Sequence, residues 1–253
     1  MEVSSLPNLK RIHARRLREL YRSAGWPYQD VVEIELLAAG LLERVGDAKG
    51  VDCMRVTDAG IQYLAGAAQS NRECLSAHNR LVDQVAQAMM RDGRVVWKGL
   101  ALRAALPADP AETDAKQRWR MCIPDVFSIR NSTVQAYLEP IVHEIKVSRA
   151  DVLGDLKNQD KRAAYLNLGG QCWYVLGCNA KGKPIADASE IPTECGVMVS
   201  VDNRLEVVRA APKRASEQLP FSVWMALAKA APVQGRADSA HLSEEAANAQ
   251  SVQ

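Results

Sequence analysis

The chain has 253 residues, of which 47% are hydrophobic and 25% are charged, a balance typical of a folded globular protein and one that excludes disorder over most of its length. A formal net charge of +2 excludes a global basic field, so contact with nucleic acid would require local clusters of Lys and Arg. The six cysteines form no Cys-x-x-Cys pair, and we expect no signal peptide and no membrane span. These features predict a cytoplasmic protein with reduced thiols.

The first predicted domain, residues 1–68, follows a winged-helix pattern. Its elements are two helices, a hairpin and a third helix: 8–22, 29–39, the strands 41–45 and 53–56 joined by a turn at 46–50, and a helix that Thr57 caps. This order resembles that of winged helix-turn-helix domains, which implies binding to DNA.

The charges of this domain are divided between its first two helices. The first helix is basic, and Arg11 and Arg15 are candidate contacts to a DNA backbone. The second helix stands in the recognition position but carries Asp30, Glu33 and Glu35 without a basic residue, and carboxylates there would repel phosphates. Two interpretations stay open: the basic helix follows DNA backbone, or the domain is a protein-docking or dimerising module.

A polar joint over residues 69–72 is expected before a second domain, residues 71–212. This domain begins with a helix over 71–91, on which His78 lies within the apolar arc and Glu73 lies across from it. Strands are then predicted over 94–102, 121–129 and 137–147. A loop ends at Arg118 and Arg120, which either contact phosphate or are solvated.

Two of these apolar strands carry Asp125, Glu144 and Lys146. Alternate side chains of a strand share a face, so Glu144 and Lys146 lie side by side while Ile145 points into the core. Charged groups in such a strand need compensation for lost hydration, and a hard cation such as Mg²⁺ supplies it to oxygen ligands. The lysine can then position a water or stabilise a phosphoryl oxygen. The pattern therefore predicts phosphodiester hydrolysis, with a surface ion pair as the alternative.

The next segment begins with Ser148 and Asp151, an S-x-x-D start typical of a capped helix. Down this helix Lys157, Lys161 and Tyr165 recur at four-residue steps. Because the helix directly follows the Glu-x-Lys strand, we expect this stripe beside the site, where it would neutralise phosphate. A solvated charged face is the alternative.

The remaining elements complete an α/β (α+β) fold, a mixed sheet flanked by helices. Strands are predicted over 170–177, 196–201 and 204–209, and a helix near 220–231 within a C-terminal segment, 213–232. That helix either packs on the core or mediates dimerisation. Residues 233–253 are poor in large apolar groups and are expected to be disordered.

The order Pro124-Asp125, then Glu144-Ile145-Lys146, resembles the signature of the PD-(D/E)XK, or restriction-endonuclease-like, nuclease superfamily. Neighbouring segments, over roughly residues 71–212 in all, are similar to bacterial MmcB-like DNA-repair proteins. The resemblance implies a restriction-endonuclease-like core, with Asp125, Glu144 and the backbone carbonyl of Ile145 as ligands of Mg²⁺ or Mn²⁺. It also implies Lys146 as the catalytic lysine, and a first helix that sends a side chain toward the metal. By its position on the helix His78 is the better candidate than Glu73, with a core histidine bonded to a backbone partner as the alternative.

The function expected on these grounds is a Mg²⁺-dependent DNA endonuclease or DNA-repair nuclease. Two alternatives stay open. One is a non-catalytic DNA-binding or regulatory protein with a retired nuclease fold, which needs no metal. The other is an RNA nuclease, since phosphate-directed chemistry does not specify the sugar. DNA is the expected partner, and assembly into a homodimer stays open.

Overall fold

The computed structural model describes residues 9–23, 25–46, 52–106, 117–214 and 219–234. The chain divides into two compact units, Met1–Leu75 and Ser76–Gln253. Across the described ranges, none of the helices combines the length and the apolarity that a membrane crossing demands.

The first unit contains the predicted succession of two helices, a hairpin and a helix. Its elements are α1 (Arg11–Arg22), α2 (Val31–Ala38), β1 (Leu42–Gly46), β2 (Asp52–Val56) and the beginning of α3 (Asp58–Arg91). A small core of leucines and one methionine, including Leu17, Leu36 and Met54, holds them together. Gly25 has a φ of +76°, and a Cβ there would lie 2.2 Å from the carbonyl oxygen of Met54, so this close approach requires glycine. The assignment to the winged-helix family stays a prediction, and most of its turn lies outside the described residues.

The helix predicted to begin at residue 71 begins earlier, because α3 runs without interruption from Asp58 to Arg91, through the residues 69–72 that were expected to form a polar joint. The segment Gln-Ser-Asn-Arg contains neither glycine nor proline, so nothing in it stops helical hydrogen bonding. Side-chain bonds across one turn support it: Gln69 Nε2 donates to Glu73 Oε1 at 2.8 Å, and Arg72 donates to Gln69 Oε1 at 2.8 Å.

The second unit is built on a six-stranded mixed sheet, which confirms the predicted α/β class. The strand order is β10-β9-β8-β7-β6-β3. The strands are β3 (Arg94–Lys98), β6 (Val126–Arg130), β7 (Ile141–Lys146), β8 (Gln171–Leu176), β9 (Gly196–Val201) and β10 (Arg204–Arg209). Strands β7, β8 and β9 are mutually parallel and the other pairs are antiparallel. A separate hairpin joins β4 (Leu102–Ala105) to β5 (Trp119–Cys122).

Both faces of this sheet are covered, as the apolar strand sequences predict. On one face, Val85 and Met89 of α3 pack with Val126 and Ile145. The opposite face packs against the β4–β5 hairpin and three helices: α4 (Arg149–Leu156), α5 (Gln159–Leu168) and α6 (Phe221–Lys229). Within β7 the two sets alternate, so Glu144 and Lys146 lie on the face opposite Ile145, as predicted.

Two predicted strands and one predicted helix are each divided in the structure. The strand predicted over 94–102 breaks at Gly99, whose φ is +58°, and the strand over 121–129 breaks around Pro124, which has no N–H to donate. The helix that begins after Ser148 ends at Leu156, and Asn158 caps a second helix by accepting the backbone N–H of Lys161 at 3.3 Å. Three-residue 3₁₀ turns lie at Gln135–Tyr137 and Ala188–Glu190.

The C-terminal helix α6 packs on the core through Val223 and Leu227, both buried. Its role in dimerisation stays a prediction. The disorder expected of the segment from residue 233 is wrong for Val233, whose N–H donates to the carbonyl of Val96 at 2.8 Å and so pairs with the edge strand β3. The rest of that segment, from residue 235, lies outside the described residues.

Candidate active site

Asp125 is fixed against β7 although it lies 20 residues earlier in the chain. Its Oδ2 accepts the backbone N–H of Ile145 at 2.7 Å, which places the carboxylate beside Glu144. Nε2 of His78, on α3, lies 3.3 Å from Oδ1. Burial raises the pKa of Asp125, and the charge of Glu144 raises this pKa further, against the lowering effects of the Ile145 N–H and of His78. The structure thus brings together the two carboxylates and the histidine predicted for the site.

Glu144 is the most deeply buried charged residue of the predicted site, with 4% of its side chain exposed. Its Oε1 accepts from two ammonium groups, Lys146 Nζ at 2.7 Å and Lys161 Nζ at 2.6 Å. Its Oε2 is buried and has no hydrogen-bond partner within the described part of the chain. One carboxylate oxygen therefore accepts from two ammonium groups, while the other has no donor among the described residues.

Asp155, on α4, is a member of this cluster that the sequence analysis did not select. Its Oδ1 accepts from Lys161 Nζ at 2.6 Å and lies 3.4 Å from Lys146 Nζ, and its Oδ2 accepts from the hydroxyl of Tyr174 at 2.7 Å. Burial raises the pKa of Asp155, but the hydrogen bond from Lys161 and the charge of Lys146 outweigh it, so the net pKa is lowered. Asp155 therefore stays ionised and holds both lysines in place.

Lys161 and Tyr165 reach the site from α5, whereas Lys157 does not. Burial lowers the pKa of Lys161, but its two carboxylate neighbours outweigh this and raise the pKa overall. The Tyr165 hydroxyl donates to the carbonyl of Ile123 at 3.0 Å, and burial raises its pKa, so it is a neutral anchor and not a base. Lys157 is exposed at the end of α4, because the break between the helices turns its side chain out of the predicted stripe.

The predicted nucleic-acid contacts lie in two places. Arg118 and Arg120 flank Trp119 at the start of β5, and their guanidinium groups lie 3.4 and 3.8 Å from Asp160. Arg11 and Arg15 belong to the first unit, where both are exposed and Arg15 pairs with its helical neighbour Glu19 at 2.9 Å. Their role in binding DNA stays a prediction.

The donor set fits a hard cation that keeps most of its own water. Three or more His, Cys, Asp and Glu side chains do not converge as a metal-ligand group anywhere in the described ranges. Mg²⁺, however, needs one or two carboxylates because it retains several waters. Glu144 Oε2 without a donor and Asp125 with its raised pKa are two oxygens that a cation would compensate. The residues present therefore fit the expected ion.

Comparison with known proteins identifies no family. The sequence matches no family model and no curated protein. It is similar to a solved structure, the SPO1766 protein of unknown function from Silicibacter pomeroyi, with 22% identity over 53% of this chain and 70% of that one and a TM-score of 0.34. Similarity of this size supports no conclusion about fold or function.

Proposed function

We propose that the second unit is a Mg²⁺-dependent DNA endonuclease of the DNA-repair type, resembling the PD-(D/E)XK nucleases, in a cytoplasmic protein. The observation that carries this proposal is the buried Glu144, whose Oε2 has no partner among the residues that the structure describes. A buried carboxylate costs several kcal/mol unless it is compensated. A purely structural ion pair would be expected to satisfy both oxygens, and this one does not.

Asp125, Glu144 and the backbone carbonyl of Ile145 would hold the ion. When bound, Mg²⁺ or Mn²⁺ supplies Lewis-acid stabilisation of phosphoryl oxygens and a more acidic water. Lys146 is the residue of this chain best placed to touch the reacting phosphate, because its Nζ is held between Glu144 and Asp155 at 2.7 and 3.4 Å. Its N–H groups can orient an attacking water or stabilise charge on a phosphoryl oxygen.

The surrounding residues position these groups. Lys161 and Asp155 fix the Glu144–Lys146 pair, since Lys161 contacts Glu144, Asp155 contacts Lys146, and the two also contact each other. Nε2 of His78 lies 3.3 Å from Oδ1 of Asp125, where it orients the carboxylate. The main-chain N–H of Ile145 orients the same carboxylate from within the sheet. Such fixed geometry is what phosphoryl transfer requires of a protein.

The proposal is tested first by metal binding. Titration calorimetry with Mg²⁺ and Mn²⁺ should detect binding to the wild type and a strong loss of affinity in Asp125→Ala. Glu206→Gln is the matched control, because this carboxylate is exposed on the edge strand β10 and its removal should leave binding unchanged. Equal affinity in wild type and Asp125→Ala would refute the ligand assignment.

Catalysis is tested on linear, nicked, flapped and single-stranded DNA, with the same panel in RNA. Lys146→Met should abolish cleavage while metal binding persists, because the lysine is assigned to the phosphate and not to the ion. If the wild type binds neither ion and cuts none of these substrates, the catalytic proposal fails. Binding of DNA without metal or cleavage would favour the retired-nuclease alternative, and preferred cutting of RNA would favour an RNA nuclease.

The first unit has a surface that favours docking over base reading. Its second helix, α2, exposes Val31 and Ile34 by 68% and 63%. Arg16 of the basic helix is already paired with Asp30 at 2.8 Å. Duplex binding by an Arg11→Ala/Arg15→Ala variant distinguishes the two roles: reduced affinity supports backbone contact by α1, and unchanged affinity supports the docking or dimerising module.

A further inference from the structure

The β4–β5 hairpin presents a row of apolar side chains to solvent. Trp119, Met121 and Ile123 are 44%, 64% and 57% exposed. They alternate with Cys122, which is buried in the core, so they share the outer face of β5 and of the residue that follows it. We call Trp119, Met121 and Ile123 the hairpin stripe. Single exposed apolar residues are normal, but three in a row on one strand indicate a binding surface.

One arginine, Arg103, lies beside the hairpin stripe. The guanidinium of Arg103, on the neighbouring strand β4, lies 4.6 Å from the centre of the Trp119 ring, and Arg103 pairs with Met121 across the two strands. Arg118 and Arg120 alternate with Trp119 and Met121 and so belong to the other face of β5, where they lie 3.4 and 3.8 Å from Asp160 of α5. The stripe therefore combines an aromatic ring with the guanidinium group of Arg103.

The hairpin stripe is also joined to the candidate active site. Its last residue, Ile123, lies two positions before Asp125, and its carbonyl accepts the Tyr165 hydroxyl at 3.0 Å. On β4, the carbonyl of Ala105 accepts from the Asn167 side chain at 2.8 Å. Both bonds come from α5, the helix that supplies Lys161. The stripe is thereby held on the same helix as the charged cluster.

We propose that the hairpin stripe binds an unpaired DNA strand, with a base stacked on Trp119 and an adjacent phosphate contacted by Arg103. Aromatic side chains combined with basic groups are the chemistry by which proteins hold single strands. Bases in an intact duplex are stacked on one another and cannot cover a side-chain ring, so the stripe selects unpaired DNA. The identity of the strand as DNA rests on the proposed nuclease function, whose substrate would then carry a single-stranded segment beside the cut.

The test is a binding measurement in the absence of divalent metal, so that no cleavage occurs. Fluorescence anisotropy compares a short single-stranded oligonucleotide with a blunt duplex. Trp119→Ala should weaken single-strand binding about tenfold or more, the range expected for one stacked base, and duplex binding less than about twofold. Trp119→Phe keeps a ring and should retain most of the affinity.

Trp224→Ala is the matched control, because Trp224 is exposed to a similar extent, 38% against 44% for Trp119, but lies on α6. Its affinity for the single strand should equal that of the wild type. Circular dichroism and thermal melting confirm that each variant is folded. The inference is overturned if Trp119→Ala loses affinity equally for duplex and single strand, or loses no affinity for either. It is also overturned if the wild type binds an RNA oligonucleotide tenfold more tightly than DNA.

Failure of this inference and failure of the nuclease proposal give different results. If the wild type cuts no substrate but Trp119→Ala still loses single-strand binding, the nuclease proposal fails and the hairpin stripe stands. If the wild type cuts flapped and blunt substrates equally well, and Trp119→Ala binds and cuts as the wild type does, the hairpin stripe fails and the nuclease stands.

Discussion

His143 should make the stability of the second unit depend on pH between neutrality and pH 5. Its imidazole is fully buried on β7, and neither ring nitrogen has a hydrogen-bond partner within the described residues. Burial, together with the charge of Arg94, lowers the pKa of His143 from 6.5 to about 3. The folded protein therefore holds this ring neutral at pH values where an unfolded chain would protonate it.

The sign and size of the effect follow from this difference. Because the unfolded state binds the extra proton, stability is fully present above the unfolded pKa of about 6.5 and is lost as pH falls toward about 3. A pH of about 5 is about 1.5 units below the pKa of the histidine in the unfolded chain. At about 1.4 kcal/mol per unit, the free energy of unfolding falls by about 2 kcal/mol relative to neutrality. His143→Leu should abolish that part of the pH dependence.

The assay is urea denaturation at about pH 7.5 and about pH 5, followed by tryptophan fluorescence. A Trp26→Phe background leaves four tryptophans, all in the second unit, so the signal reports that unit alone. Met198→Leu is the matched control, because Met198 lines the same cavity as His143 but does not titrate. Wild type and Met198→Leu should lose about 2 kcal/mol more than His143→Leu on acidification. Equal losses in all three proteins would refute the assignment to His143.

Two further predictions concern packing and charge in the same unit. Asp155→Asn should lower the free energy of unfolding by about 2–3 kcal/mol, less than the usual loss for a broken buried ion pair, because Glu144 still holds both lysines. Asp160→Asn, at an exposed pair, should change it by close to nothing. Similar urea midpoints for the two variants would contradict the buried cluster. Gly196→Ala should cost about 1–3 kcal/mol, because its Cβ would lie 2.4 Å from the Trp173 ring. Gly154→Ala, in a helix with open space around the new Cβ, should gain up to about 1 kcal/mol; thermal melting in which the first variant matches the second would contradict this packing.

The strand that carries the candidate site was predictable because its signal is local. The run Ile141 to Val147 alternates residues of two faces, and period-two geometry alone places Glu144 next to Lys146 and turns Ile145 away. The structure confirms all three placements. The position of Asp125 beside them is not local, since it depends on how two antiparallel strands pair, and the sequence indicated it only through the resemblance to a nuclease motif.

The breaks in the elements were missed although their signals were present. Gly99 and Pro124 are the residue types that interrupt strands, but the apolar residues on either side favoured one long strand in each case. Asn158 is a typical N-cap, yet a regular four-residue spacing of Lys157, Lys161 and Tyr165 favoured one continuous helix. The break at Asn158 brings Lys161 to Glu144 and leaves Lys157 outside. A stripe on one continuous helix was therefore wrong, although Lys161 and Tyr165 both lie at the charged cluster.

The missing partner, Asp155, changes what the cluster can do. Glu144 and Lys146 alone would form a neutral buried pair that needs nothing further. With Asp125, Asp155 and Lys161 included, three carboxylates face two ammonium groups, and the imidazole of His78 lies 3.3 Å from Asp125. Burial and Glu144 raise the pKa of Asp125, so a further positive charge beside this carboxyl would be favourable. The proposed metal site therefore depends on residues that only the fold assembles, and the Glu-x-Lys strand is one part of it.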